Sequence, residues 1–242
     1  MHYWAMILLL IGAYLIGSVP TAYIAGRLLK GIDIRNYGSG IASGSNAWHS
    51  ISKWSIIPVG AFDLLKGIAP VLIAMQLHLT VNGSGVVAQG VAALTAMIGH
   101  SWSIFFKFHG GRGVTPMLGA LGVMMPWGLI IFVAIWVGGL AAFKNSPLWM
   151  LAGMLAAIIS APFIPTNAAF KFMSSSQPHM MMLILVGMLI LLIIKRITAE
   201  RPIPKEHWKE VLLCRLLYDR DTRNREAWIY RKPIDGEQSG QK

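Results

Sequence analysis

Apolar residues dominate six stretches of the chain, at roughly 4–26, 54–75, 86–106, 114–142, 148–165 and 179–194, separated by polar or glycine-rich connections. A helix needs roughly 20 residues to cross the hydrocarbon core, and lipid offers no partner for unpaired backbone groups. The pattern therefore predicts an all-α integral membrane protein. The fourth stretch is too long for one upright helix and too short for two full ones, and Pro126 and Gly128 near its middle mark a place to break. Beyond 194 the pattern changes. Apolar residues recur at near-helical spacing between charges over 208–218, which predicts an amphipathic helix on the membrane surface, and 236–242 reads as disordered. The chain thus divides into a membrane domain, 1–194, and a polar tail, 195–242.

Charge placement orients the spans. Arg27, Lys30, Arg35 and Lys53 flank the first two stretches, while 76–85 carries no charge. The positive-inside rule puts the first group in the cytoplasm, and crossing back places Lys107 and Arg112 there too. If 114–142 crosses twice, Lys144 and the basic tail also come out inside. This predicts about seven spans, some short or broken, with the N-terminus outside, the C-terminus cytoplasmic and Lys171 as the exception. No Lys or Arg precedes the first apolar stretch, so it reads as a retained span rather than a cleaved signal.

The same charges bear on chemistry. Within 1–194 the acids are Asp33 and Asp63 alone, against nine Lys or Arg. A basic, acid-poor membrane protein suits anionic small molecules and lipid headgroups. Two separated aspartates cannot hold catalytic cations, so no metal requirement and no cofactor are expected. Nucleic acid is not an expected partner, since the basic residues form no continuous stripe. Cys214, the lone cysteine, excludes an intrachain disulfide and reads as an ordinary apolar tail residue.

Two loops on the expected cytoplasmic face could hold phosphate. In 99–113, His100 precedes Lys107 and the run Gly110-Gly111-Arg112-Gly113. Such a turn lets amides approach an anion, and a helix starting at Val114 would add its dipole, although glycines at a span boundary equally suit a plain turn. In 31–49, Ser39 stands between Gly38 and Gly40, with Asn46 and His49 following. An exposed hydroxyl beside unobstructed amides suits a phosphate or acyl oxygen, and a flexible loop is the plain alternative. Asp63 and Lys66, three apart on the second span, read as a structural ion pair. Ser146 precedes the stretch at 148–165 and is a weaker site candidate, because helix N-caps are commonly serine.

Taken in order, Gly17-Ser-Val-Pro-Thr-Ala-Tyr23, Asp33-Ile-Arg35, Gly38-Ser-Gly40, Asp63-x-x-Lys-Gly67 and Gly99-His…Phe105…Lys107-Phe-x-Gly-Gly-Arg-Gly-Val114 resemble the bacterial acyl-phosphate:glycerol-3-phosphate acyltransferases, the PlsY family, over about 10–120. The resemblance implies a seven-span bundle in the bacterial plasma membrane with a cytoplasm-facing site. Its implied reaction moves an acyl group from acyl phosphate to the sn-1 hydroxyl of glycerol 3-phosphate, giving lysophosphatidic acid for phospholipid synthesis. It implies that Arg112 and the turn of Gly110, Gly111 and Gly113 bind glycerol 3-phosphate, and that Ser39, Asn46 and Lys107, with His49 in the arginine's place, hold the acyl phosphate and the developing oxyanion, Ser39, His49, Lys107 and Arg112 being the catalytic set. His100 is as much a structural hydrogen-bonding residue as a ligand.

The chain departs from the family pattern at Ile41, at Ser43-Gly-Ser45 and at His49, which stands where the family has arginine; Arg112 replaces its usual lysine. Of the third motif, a His, Glu and Asn cluster after the last span, Glu200 alone has a counterpart. Histidine lacks arginine's permanent charge and fork, so donor binding is expected to be weaker or more pH-dependent. Two other readings follow: an impaired relative that binds phospholipid precursors, and a transporter of a small organic phosphate. None of the seven histidines has aspartate after four residues, the pattern of acyl-CoA-dependent acyltransferases.

Overall fold

The first apolar stretch folds as two helices, α1 (Tyr3–Ser18) and α2 (Thr21–Lys30), in the computed structural model, which describes residues 3–163, 177–199 and 206–224 together with Glu226 and Trp228. Lys171, Glu200 and 236–242 lie outside the described residues. Pro20 causes the break, because it has no N–H to donate and its ring crowds the preceding turn. The carbonyls beside it find partners elsewhere: Val19 O accepts from Lys66 Nζ at 2.6 Å, and Ser18 O accepts from Ser103 Oγ. Lys66 lies on α4 (Ile56–Gln76), where its ammonium also meets Asp63 Oδ1 at 2.6 Å. Thr21 Oγ1 donates to the same carboxylate oxygen at 2.6 Å. The buried pair is thus a latch between the kinked first span and α4, as the structural reading of the sequence expects.

The connection before α4 is partly ordered as α3 (Gly44–Ser50), whose N-cap Ser43 accepts from the Asn46 amide. At the centre of the bundle α5 (Gly85–Ser101) packs against α1, α4, α6 (Val114–Met124) and α9 (Pro178–Ile197). The long fourth stretch breaks where proline predicts, with α6 ending at Met124 and α7 starting at Pro126 (Pro126–Phe143), before α8 (Ser146–Ser160) packs back onto α7. Helices α4 and α6 approach closely because Gly67 faces Pro116: a Cβ there would lie 1.9 Å from the Pro116 carbonyl oxygen. Small residues at such contacts let backbones meet where lipid supplies no hydrophobic drive. The core between these helices is rich in methionine, including Met97, Met117, Met154 and Met188.

Tyr3–Lys30, Lys53–Gln76, Pro126–Phe143 and Pro178–Ile197 are long and apolar enough to cross a membrane, and Gly85–Ser101, Val114–Met124 and Ser146–Ser160 are shorter apolar helices. Among the described residues no β-strand forms, and the chain is an all-α, multi-pass membrane protein.

Helix α10 (Trp208–Tyr218) packs against α8 and α9 with Val211, Cys214 and Arg215 buried, so its inward face rests on protein rather than lipid. Two arginines cap each other's helices. Arg196, at the end of α9, donates to the carbonyls of Leu216 at 3.1 Å and Pro147 at 3.1 Å, while Arg215, at the end of α10, donates to the Ile197 carbonyl at 2.9 Å. The Leu216 and Ile197 carbonyls stand at the C-terminal ends of α10 and α9, where carbonyls have no partner within their own helix and the dipole is negative, whereas Pro147 belongs to the first turn of α8. Arg215 Nε also meets Asp221 Oδ1 at 2.7 Å. The variant Arg215→Gln is therefore expected to loosen α10. Maleimide labelling of the buried Cys214 in detergent should speed up by about tenfold, the effect of a local opening about 1.4 kcal/mol easier; an unchanged rate would show that the cap does not hold the tail.

Candidate active site

The loop 31–49 is shaped by its side chains. Asp33 accepts from the Arg35 backbone amide at 3.0 Å and takes the Arg35 guanidinium in a fork, with Nη2 to Oδ2 at 2.6 Å. Partial burial pushes the Asp33 carboxyl up, but these hydrogen bonds outweigh it and hold it below the usual carboxylate range. Arg35 also stacks over Phe106, 4.5 Å from the ring centroid, which ties this loop to the turn after α5. Gly38 and Gly40 both take left-handed backbone, with φ of 55° and 73°, and turn the chain sharply around Ser39. Ser39 Oγ accepts from the Ile41 amide at 3.2 Å, which orients the hydroxyl.

Asn46 is tied into the loop itself. Its amide nitrogen lies 3.0–3.1 Å from the carbonyls of Ile34, Tyr37 and Ile41, and its oxygen accepts from Ser50. With its donors committed to three carbonyls it clamps the loop that presents Ser39, and is a positioning residue.

The turn 99–113 is likewise built from inside. The Gly111 amide donates to the His100 carbonyl at 3.0 Å, so this amide is used within the turn. A Cβ on Gly110 would lie 2.2 Å from the His100 oxygen, and one on Gly111 would lie 2.1 Å from His100 Nε2. These glycines are needed for close packing on His100. The imidazole is buried, with Nδ1 at 3.6 Å from Asp63 Oδ1, and reaches only a pocket of about 10 Å³ shared with Lys66, Gly110 and Gly111. That space holds about one water. His100 therefore braces the turn and is placed away from the larger cavities. Gly113, with φ of 81°, forms the N-cap of α6, so the helix begins at Val114 as its sequence suggests.

Arg112 projects from this turn to the tail. Its Nη2 donates to the Asp219 carbonyl at 3.2 Å, and its Nε lies 3.2 Å from Asp219 Oδ1, an ion pair without hydrogen-bond alignment. Asp219 also lies 3.9 Å from Arg196. Burial raises the Asp219 carboxyl above its ordinary value, more than the two arginines lower it.

Two cavities meet at this end of the bundle. The larger, about 280 Å³, is lined by Ser39, Ser45, Asn46 and His49 of the first loop, by Lys144 and Ser146 between α7 and α8, and by Tyr218, Asp219 and Arg220 of the tail. The smaller, about 220 Å³, is bounded by Arg35, Ser39, Gly40, His109, Arg112 and Asp221. Ser39 and Trp228 belong to both walls. Of the residues singled out in the sequence, Ser39, Gly40, Asn46, His49, Arg112 and Ser146 come together here. Ser146 is the first residue of α8 rather than its cap, and accepts from Trp136 Nε1 at 2.8 Å. Lys107 is exposed on a left-handed turn, φ 52°, and lines neither cavity; nor do Gly38, Gly110, Gly111 and Gly113.

The sequence reading missed Arg35, Lys144, His109, Arg220 and Trp228 as wall residues. Arg35 and Lys144 were visible as cations at the cytoplasmic edge, whereas the tail residues become visible only once α10 is docked. Among the described residues no three His, Cys, Asp or Glu side chains gather where they could hold a metal ion.

Known proteins share this architecture. The chain is 42% identical over 158 residues to glycerol-3-phosphate acyltransferase 2 of Moorella thermoacetica, covering 65% of this chain and 76% of that one. It is 29% identical to glycerol-3-phosphate acyltransferase 5 of Dehalococcoides mccartyi over 96% of both chains. A crystal structure of PlsY (YgiH), an integral membrane glycerol 3-phosphate acyltransferase, in its glycerol 3-phosphate form, superposes with a TM-score of 0.68 at 24% identity, over 87% of this chain and 93% of that one. The profile of one family, described as Glycerol-3-phosphate acyltransferase, matches residues 7–201. With most of its length inside that match, this chain belongs to the glycerol-3-phosphate acyltransferase family.

Proposed function

We propose that the chain transfers an acyl group from acyl phosphate to the sn-1 hydroxyl of glycerol 3-phosphate at the cytoplasmic edge of the bacterial plasma membrane. The observation that carries this reading is the pair of cavities joined at Ser39, each with cationic side chains in its wall. Glycerol 3-phosphate takes the smaller cavity, with Arg112 and Arg35 facing its phosphate. Acyl phosphate takes the larger, where Ser39, Ser146, His49 and Lys144 meet the headgroup and Leu140 of α7 starts an apolar path for the chain. The glycerol hydroxyl attacks the acyl carbon, an ester C–O bond forms, and the bond from that carbon to the phosphate oxygen breaks. Orthophosphate leaves and a phosphate oxygen takes the hydroxyl proton. The mixed anhydride already has a good leaving group, so placement and charge neutralisation supply the catalysis.

The cavity walls also support seven crossings. Loops at 39–49, 109–113 and 144–147 and the tail line the same space, so each intervening stretch leaves one face and returns to it. Helices α6 and α7 then form one such pair, the N-terminus lies outside, and 195–242 is a cytoplasmic segment whose α10 packs on α8 and α9.

Purified protein given labelled glycerol 3-phosphate is expected to make lysophosphatidic acid with acyl phosphate and at most a trace with acyl-CoA. Equal use of acyl-CoA would overturn the donor assignment. No product with either donor, in wild type and His49→Arg alike, would overturn the enzyme reading, and uptake of glycerol 3-phosphate into vesicles without acylation would replace it with transport. Product formed only by His49→Arg would mark the natural chain as an impaired relative.

A further inference from the structure

The larger cavity is closed on one side by the tail. Asp219 takes left-handed backbone, φ 55°, at the end of α10, and this turn places Arg220 in the wall of the cavity that Ser39, Ser45, His49 and Ser146 also line. Three side chains in that wall can be cationic: His49, Lys144 and Arg220. They are not equivalent. Histidine carries no permanent charge, and Lys144 is exposed at the start of a loop, a flexible point charge on a long stem. Arg220 is partly buried and held: its Nε donates to the Tyr218 carbonyl at 3.3 Å, and its guanidinium lies 5.5 Å from the Tyr218 ring centroid.

The neighbouring acids are shared with other cations: Asp219 lines this cavity beside Arg220, and Asp221 lines the smaller one. Asp219 meets Arg112 and Arg196, and Asp221 meets Arg215 at 2.7 Å. The turn is thereby locked to α6, α9 and α10, and its arginine is fixed on the wall. A guanidinium of permanent charge lining one cavity with three serines is chemistry suited to a phosphate monoester dianion.

We propose that Arg220 binds the phosphate group in the larger cavity, so that the C-terminal tail contributes a substrate-binding residue to the active site. The identity of that phosphate as the acyl donor's headgroup rests on the proposed function; the phosphate site itself does not.

The test uses the full chain in detergent and dodecyl phosphate, an unreactive alkyl phosphate, as the probe. Arg220→Gln is expected to weaken dodecyl phosphate binding by at least about tenfold, the scale of one lost charge-assisted hydrogen bond. Arg220→Lys should recover part of the loss, and Arg223→Gln, an exposed charge three residues on, should bind within about twofold of wild type. Cys214 labelling in Arg220→Gln should stay slow. Unchanged binding in Arg220→Gln would overturn the proposal, and so would weakened binding that comes with rapid Cys214 labelling, since Arg220 would then only hold the tail in place. In turnover, Arg220→Gln should raise the KM for acyl phosphate and leave that for glycerol 3-phosphate within about twofold. If Arg220-dependent binding is seen but acyl phosphate yields no lysophosphatidic acid, the site stands as an alkyl-phosphate site and the donor reading falls.

Discussion

Asp63→Ala is expected to destabilise the protein by about 3–5 kcal/mol, the cost of leaving one partner of a buried ion pair uncompensated. The ammonium of Lys66 makes contacts to Val19 O, Asp63 Oδ1 and Thr21 Oγ1 at 2.6, 2.6 and 3.3 Å, matching its three donors. Removing the carboxylate leaves a buried charge and also strips Thr21 of its acceptor. Asp63→Asn keeps an acceptor and should cost less. In Asp63→Leu with Lys66→Met the charge is gone, but the Val19 carbonyl keeps only the Thr21 amide and the Thr21 hydroxyl loses its acceptor, so recovery should stop short of wild type by about 1–3 kcal/mol. Tryptophan fluorescence during thermal unfolding in detergent measures the series. A loss below about 1 kcal/mol in Asp63→Ala would mean that water reaches Lys66 and that the latch is not dry.

Arg112→Gln is expected to raise the KM for glycerol 3-phosphate by about 10²-fold, as the removal of a fixed cation from a phosphate site does. Two roles have to be separated. Arg112 faces the smaller cavity, and it also donates to the carbonyls of Lys195 at 3.4 Å and Asp219 at 3.2 Å, joining α6 to the tail. Arg112→Lys keeps the charge and gives up the fork. If charge on the substrate is the larger effect, the lysine variant should keep most of the affinity while Cys214 labelling speeds up modestly. If anchoring the tail is the larger effect, lysine and glutamine should fail alike. A glycerol 3-phosphate KM within twofold of wild type in Arg112→Gln would remove this arginine from the site.

What the sequence could disclose follows from the range of each interaction. Apolar stretches and Pro126 are local signals, and the helices lie where they indicate. Pro20 is equally local, yet the run 4–26 reads as one span because hydropathy is blind to a missing N–H. Helix α10 was legible from its spacing. Its docking was not, because that depends on Arg196 and Arg215 meeting carbonyls about 20 residues away in sequence. The same limit applies to the site. Ser39, His49, Arg112 and Ser146 stand out beside glycines and span ends, but Arg220 and Trp228 join them only through the docked tail. His100 is open between two readings in the sequence. A histidine before a glycine turn looks the same whether its ring faces a ligand or the core, and here Gly111 packs directly on it.

The kink at Pro20 has a consequence for biogenesis. As the chain is made, α1 and α2 enter the bilayer before the residues that satisfy the kink exist: Lys66 follows Val19 by 47 positions, and Ser103 follows Ser18 by 85. Until the segment after α5 inserts, the Ser18 carbonyl must be met by water or the translocation machinery, since lipid cannot do it, whereas the Val19 carbonyl keeps the nearby Thr21 amide. The first span is therefore completed by later ones, and its final bend is set only when the segment after α5 has arrived.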